Sequence, residues 1–200
     1  MPHGTDDRYA LSFTTGGLLV LESAVLAPIY TEHRDWVKVR DLAVKENLLQ
    51  ARTHSTGVRR VRETVKRLSA LSDLEVDVLT EITASERGHL MWAAACRRYE
   101  LIGEFAEEVL RERFLTLAGT VTHKDYDSFY RAKAMWHDEL DEVTELSYKK
   151  LRQVLFKMMT EAGLLTMQGG IEPALLSARV AEFLTERTPS EIRFFPTREA

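Results

Sequence analysis

Two stretches of this chain place cations where they could grip a polyanion. In LSYKKLRQVLFKMMTEAGLLTMQGGIEPALLS, residues 146–177, apolar residues recur at Leu151, Val154, Leu155, Met158 and Met159, one face of an α-helix. On a wheel of about 100° per residue, Lys149, Lys150, Gln153 and Lys157 fall opposite that stripe. Between Ser147 and Thr160 there are four cations and no acid. Side chains so placed can meet a duplex groove or its phosphates. Gly163 then supplies a helix stop, and Leu-Leu-Thr-Met, Gly169-Gly170 and Ile171 read as two short runs around a two-residue turn, a hairpin signal. A basic helix followed by a small hairpin is how a winged helix-turn-helix ends, with the wing around Gln168–Gly170 lying along the backbone or minor groove. A solvated lysine-rich face gives the same pattern, so both readings stand.

The second stretch is NLLQARTHSTGVRRVRETVKRLSAL. Arg52, Arg59, Arg60, Arg62, Lys66 and Arg67 are opposed only by Glu63. Val58, Val61, Val65 and Leu68 form a narrow helical stripe. Arg59, Arg62 and Lys66 lie to one side of the far face, and Arg60 and Arg67 to the other. Ser55 or Thr56 can cap the start, and a helix start favours phosphate. This is a second helix-turn-helix candidate with a phosphate-contacting patch. The alternative is a surface helix whose arginines pair with the acidic segment holding Asp73, Glu75, Asp77, Glu81 and Glu86.

Catalytic patterns are not found. The six histidines, His3, His33, His54, His89, His123 and His137, are scattered, and none has His-x-x-x-His spacing. His137-Asp138-Glu139 is the nearest approach to a metal or acid–base cluster, in a charged helix start. Cys96 sits in an apolar helix and reads as a small core residue. There is no Gly-x-Ser-x-Gly elbow, and the Gly16-Gly17 pair belongs to neither a phosphate loop nor a dinucleotide fingerprint. No catalytic residue, metal or cofactor is expected.

A single cysteine excludes a disulfide framework, and the first ten residues lack the build of a signal peptide. The longest apolar run, Leu90 to Cys96, falls far short of the roughly 20 residues of a membrane span. A cytoplasmic protein is expected. The net charge of −4 argues mildly against nucleic acid, yet the charge is segregated: a second acidic run holds Asp138, Glu139, Asp141, Glu142 and Glu145.

Few glycines and prolines predict long helices. Residues 11–30 read as a strand-like entry and then an apolar helix that Thr14 or Thr15 could cap, and Asp35 can cap the next. Ser72-Asp73-Leu74-Glu75 fits a capping box. Residues 85–117 read as one long or broken helix, with Trp92 and the alanines packing in the centre of the molecule. Arg97 and Arg98 beside Tyr99 could touch nucleic acid, but a core helix favours their snorkelling or pairing with Glu100 and Glu104. Thr122 opens another helix, Asp138–Glu145 the middle helix of the winged unit, and Ser177 caps a last one before the EIRFFP strand or packed tail. Ala118-Gly119 marks a boundary between an N-terminal helical domain, 1–118, and a C-terminal winged-helix-like domain, 119–200.

Several strings together resemble a known family. LSFTTGGLL (11–19), NLLQART (47–53), CRRYELI (96–102), KLRQVLFKMMTEAGLL (150–165) and PALLS (173–177) are similar to BrxA, the small accessory protein of bacteriophage-exclusion (BREX) defence systems, from about Leu11 to Pro196. The resemblance implies a mainly helical cytoplasmic protein encoded with a methyltransferase, an ATPase and other defence components. It implies DNA binding rather than catalysis. Such proteins have been likened in fold to a helical RNA-binding antitermination factor, which keeps RNA open as a ligand. No functional residue is carried over from the family.

The expectation is a mainly α protein, a helical bundle with helix-turn-helix or winged-helix units and a small C-terminal β-hairpin wing. It binds double-stranded DNA mainly through phosphates, without catalysis. A protein-interaction adaptor docking other defence subunits, or an RNA-binding protein, is the alternative.

Overall fold

The computed structural model describes residues 8–198. His3 and the part of the signal-peptide reading that rests on residues 1–7 lie outside the described residues. The helices are α1 (Val20–His33), α2 (Trp36–Lys45), α3 (His54–Leu68), α4 (Asp73–Val78), α5 (Ala84–Arg98) and α6 (Glu100–Phe105). A π-helical turn (Ala106–Arg111) leads into α7 (Glu112–Leu115), followed by α8 (His123–Ala134), α9 (Asp138–Asp141), α10 (Glu145–Glu161), α11 (Ala178–Thr185) and a 3₁₀ turn (Glu191–Phe194). The mainly helical expectation holds.

Local chemistry sets many of the starts. Asp35 accepts from the Val37 and Lys38 amides, and Ser72 with Glu75 forms the expected capping box. Thr83 with Glu86 forms another, and Ser177 caps α11. Two starts differ from expectation. Thr53, not Ser55 or Thr56, caps α3. Neither Thr14 nor Thr15 caps α1, which begins after Leu19 in the left-handed region (φ 64°), and no strand precedes it among the described residues. Here the Leu18 amide donates to the Glu161 carboxylate at 2.5 Å. A Cβ on Gly17 would overlap that carboxylate unless the Glu161 side chain shifted.

The 85–117 helix breaks at Tyr99, whose extended backbone (φ −127°, ψ 95°) separates α5 from α6. Residues 88–96 of α5 are buried, and its Trp92 donates from Nε1 to the Phe194 carbonyl at 2.9 Å. The EIRFFP tail is therefore a packed 3₁₀ turn that buries Ile192, Phe194 and Phe195. One apolar cluster runs from Tyr9 to Phe195 and draws on both sides of residue 118.

The β-hairpin wing is corrected by the structure. After Gly163 the chain makes single bridges, Leu165 with Ile171 and Thr120 with Gly170, and no sheet forms among the described residues. The Thr166 amide donates to the Gly170 carbonyl at 2.8 Å, closing a tight turn rather than extending a ladder. Two facts prevent a wing. Pro173 follows Ile171 too soon for a second strand, and Gly169 packs so closely that a Cβ would lie 2.6 Å from the Val121 carbonyl oxygen. The turn is docked on the connector before α8 instead of projecting. Among the described residues no helix is long and apolar enough to cross a membrane.

Candidate nucleic-acid interface

Helix α3 divides its cations between two surroundings. Its inner face buries Val61, Thr64, Val65 and Leu68. Arg67 is buried there as well, and no ligand can reach it. Its Nε donates to Glu63 Oε1 at 3.0 Å and its Nη1 to the Gly17 carbonyl at 2.5 Å. The Tyr99 hydroxyl completes the group by donating to Glu63 at 2.7 Å. Burial and that hydrogen bond push the Tyr99 hydroxyl up to about 12. Arg67 thus leaves the predicted patch, because Glu63, one turn earlier, compensates its burial. Arg60 is half-buried and pairs with Glu22 of α1.

Arg52, Arg59, Arg62 and Lys66 differ. All four are exposed, and none of their side chains forms a hydrogen bond or ion pair with a described residue. Arg59, Arg62 and Lys66 stand at i, i+3 and i+7, on one stripe of α3. Helix α2 adds two cations that the sequence reading missed. Arg40 and Lys45 line a groove of about 450 Å³ between α2 and α3, together with Arg62, Val58 and Asp41. Lys45 also borders a neighbouring groove with Arg52 and His54. Their signal was two cations in the helix capped by Asp35, where Arg40 and Lys45 are exposed while Val39 and Ala43 are buried.

The alternative pairing of α3 with the acidic segment does not occur. Asp73 accepts from the Tyr30 hydroxyl, and Asp77 from Thr31 and Arg34. Glu75 binds Arg97 at 2.6 Å, and Glu81 pairs with Arg179 at 3.4 Å. Glu86 is held at about 2 by hydrogen bonds, from Ser177 first and then Thr83. Arg97 itself bridges Glu75 and Glu191 rather than Glu100 and Glu104.

Helix α10 buries Leu151, Val154, Leu155, Met158 and Met159, as its spacing predicts. Lys149, Lys150, Gln153 and Lys157 are all exposed. Two of the three lysines, Lys149 and Lys157, have an acid partner within the helix, and Lys150 has none among the described residues. Lys149 lies 2.6 Å from Glu145, whose carboxyl it holds below the ordinary range, and Lys157 lies 3.6 Å from Glu161. Lys150 Nζ donates to Gln153 Oε1 at 3.3 Å. Arg152 turns aside to Asp127 at 2.6 Å. A shallow groove of about 390 Å³ lies along this face, lined by His123, Leu146, Lys149, Lys150, Gln153 and Phe156. Arg60 and Lys157 share a further cleft of about 590 Å³ beside Gly16 and Gly17, where α3 and α10 approach each other.

The other chemical candidates are structural in character. Cys96 is buried, which pushes its thiol up. His137 stacks on Tyr9 and contacts Glu139 at 3.4 Å. Among the described residues no three His, Cys, Asp or Glu side chains gather as metal ligands would.

Comparison with known proteins adds an independent line. The family described as BrxA matches residues 7–188. A "BREX protein BrxA" from Bacillus cereus (strain H3081.97) is 24% identical over 179 residues, 88% of this chain and 90% of the relative. A "BREX protein BrxA" from Escherichia coli O9:H4 (strain HS) is 24% identical over 148 residues, 74% of this chain and 70% of the relative. The crystal structure of an uncharacterized protein from Magnetospirillum magneticum superposes with a TM-score of 0.77 at 18% identity, over 94% of this chain and 98% of that one. The last likeness concerns the fold alone.

Proposed function

The chain belongs to the BrxA family of BREX phage-defence proteins, and from that premise we propose that it is a non-catalytic, double-stranded DNA-binding component of such a system. The observation that carries this reading is the band of unpaired cations, Arg52, Arg59, Arg62 and Lys66 of the α3 region with Arg40 and Lys45 of α2. Unpaired surface cations keep their full attraction for phosphate, and releasing the counterions around DNA supplies most of the binding free energy. In this reading α10, with its exposed Lys149, Lys150, Gln153 and Lys157, is the helix that meets the groove. The protein acts in the cytoplasm, beside the methyltransferase and ATPase of its system.

Titration of random-sequence duplex and matched RNA at rising salt tests the reading. Duplex affinity falls linearly in log–log form, by roughly 0.9 in slope for each phosphate contact. Salt-indifferent binding, or RNA outcompeting duplex, contradicts it.

One observation favours a second reading, the adaptor. A groove of about 840 Å³ along α6, the π-helical turn and α7 is lined by Glu100, Glu104, Glu107, Glu108 and Glu112 with Arg97 and Arg193. Lys133 pairs with Glu104 and Glu108 and Arg193 with Glu107, so Glu100 and Glu112 are the acids of this group without an ion pair among the described residues. Such a face repels DNA and suits a basic protein surface. Loss of all duplex binding, with retained capture of the system's purified subunits, supports the adaptor instead.

A further inference from the structure

We infer that α10 reads the major-groove edge of A·T base pairs through Gln153 and Leu146, an inference that rests on the duplex-binding reading above. Leu146, Lys149, Lys150, Gln153 and Lys157 share one exposed face of the helix, at i, i+3, i+4, i+7 and i+11. The composition of that face differs in kind from that of α3. A face of free cations fixes position on phosphates and carries no sequence information, whereas base edges are read by groups that both donate and accept and by apolar contacts.

Gln153 is such a group, and it is exposed. Lys150 donates to its Oε1, while its Nε2 has no partner among the described residues. Against adenine in the major groove, Nε2–H donates to N7 and Oε1 accepts from the N6 amino group. Leu146, 81% exposed, stands two turns earlier on the same face, where an apolar side chain meets the thymine methyl group. Lysine can also favour guanine, and Lys149 and Lys150 flank Gln153 on this face, so a preference for G·C assigns the readout to them. The helix behind the face is held firmly: its inner side is buried, and both Tyr148 and Arg152 bind Asp127. A held helix keeps a reading residue in register.

The test uses the full chain, one fixed salt concentration, and alternating A·T and alternating G·C duplexes of equal length. The wild type prefers A·T by roughly tenfold. Replacing adenine with 7-deazaadenine removes N7 and leaves phosphates and minor groove intact, and the preference collapses. Gln153→Ala lowers A·T affinity by a similar factor and becomes indifferent to 7-deazaadenine, with its salt slope unchanged. Replacing thymine with uracil weakens the wild type more than Leu146→Ala. Equal affinity for the two duplexes, a preference for G·C, or a wild type indifferent to 7-deazaadenine overturns the inference while leaving duplex binding standing. No duplex binding by the wild type overturns both.

Discussion

Helices α3 and α10 carry similar cationic strings, and the structure pairs their exposed cations differently. On α3, Arg59, Arg62 and Lys66 face water without a partner, and α2 brings Arg40 and Lys45 to the same groove. On α10, Lys149 and Lys157 are matched to Glu145 and Glu161, each four residues away. The acid-free window from Ser147 to Thr160 is bounded by these two glutamates, one helical turn outside the lysines they neutralise. Charge counted along a string is therefore not charge available to a ligand. What counts is which carboxylates the helix period and the fold bring alongside.

The largest predicted effect separates two arginines of α3. Arg67→Ala leaves the buried Glu63 carboxylate without its cation and lowers stability by about 3–5 kcal/mol in urea unfolding, whereas Arg62→Ala stays within about 0.5 kcal/mol. Equal stability losses would erase the inward–outward division. Next comes the comparison between helices. Arg59→Glu, Arg62→Glu and Lys66→Glu together lower duplex affinity roughly hundredfold at low salt, while Lys149→Glu with Lys150→Glu lowers it roughly tenfold. The reverse order places the phosphate track on α10. Arg40→Ala and Lys45→Ala each weaken binding about threefold, as single phosphate contacts do, and a null result removes α2 from the face. The smallest effect sharpens the contrast. Glu145→Gln releases Lys149 and raises duplex affinity about twofold with little change in stability, because exposed i,i+4 pairs contribute only about 0.3–0.5 kcal/mol.

The sequence made much of this visible where the controlling interactions are local. The capping box at Ser72 and Glu75, the Asp35 cap and the two faces of α10 follow from spacings of three to seven residues. The split of the α3 cations into two sides was legible too, since Arg60 and Arg67 do point away from Arg59, Arg62 and Lys66. Their inward partners were not. Arg60 finds Glu22 of α1, and Arg67 reaches the Gly17 carbonyl fifty positions away. Arg97 shows the same limit: Glu75 and Glu191 come from distant parts of the chain, displacing the nearby Glu100 and Glu104. The wing failed for a related reason. Two short apolar runs around Gly169-Gly170 specify a turn, but the docking of that turn on Val121 is a tertiary event.

In the proposed function, free cations on α2 and α3 hold duplex DNA by its phosphates. The most direct test is the salt dependence of duplex affinity for the wild type and for the triple variant Arg59→Ala, Arg62→Ala and Lys66→Ala, with folding checked by unfolding curves. The account predicts that the slope of log affinity against log salt becomes shallower by about three, roughly one for each phosphate contact removed. An unchanged slope in a folded triple variant contradicts it and places the phosphate contacts elsewhere on the molecule.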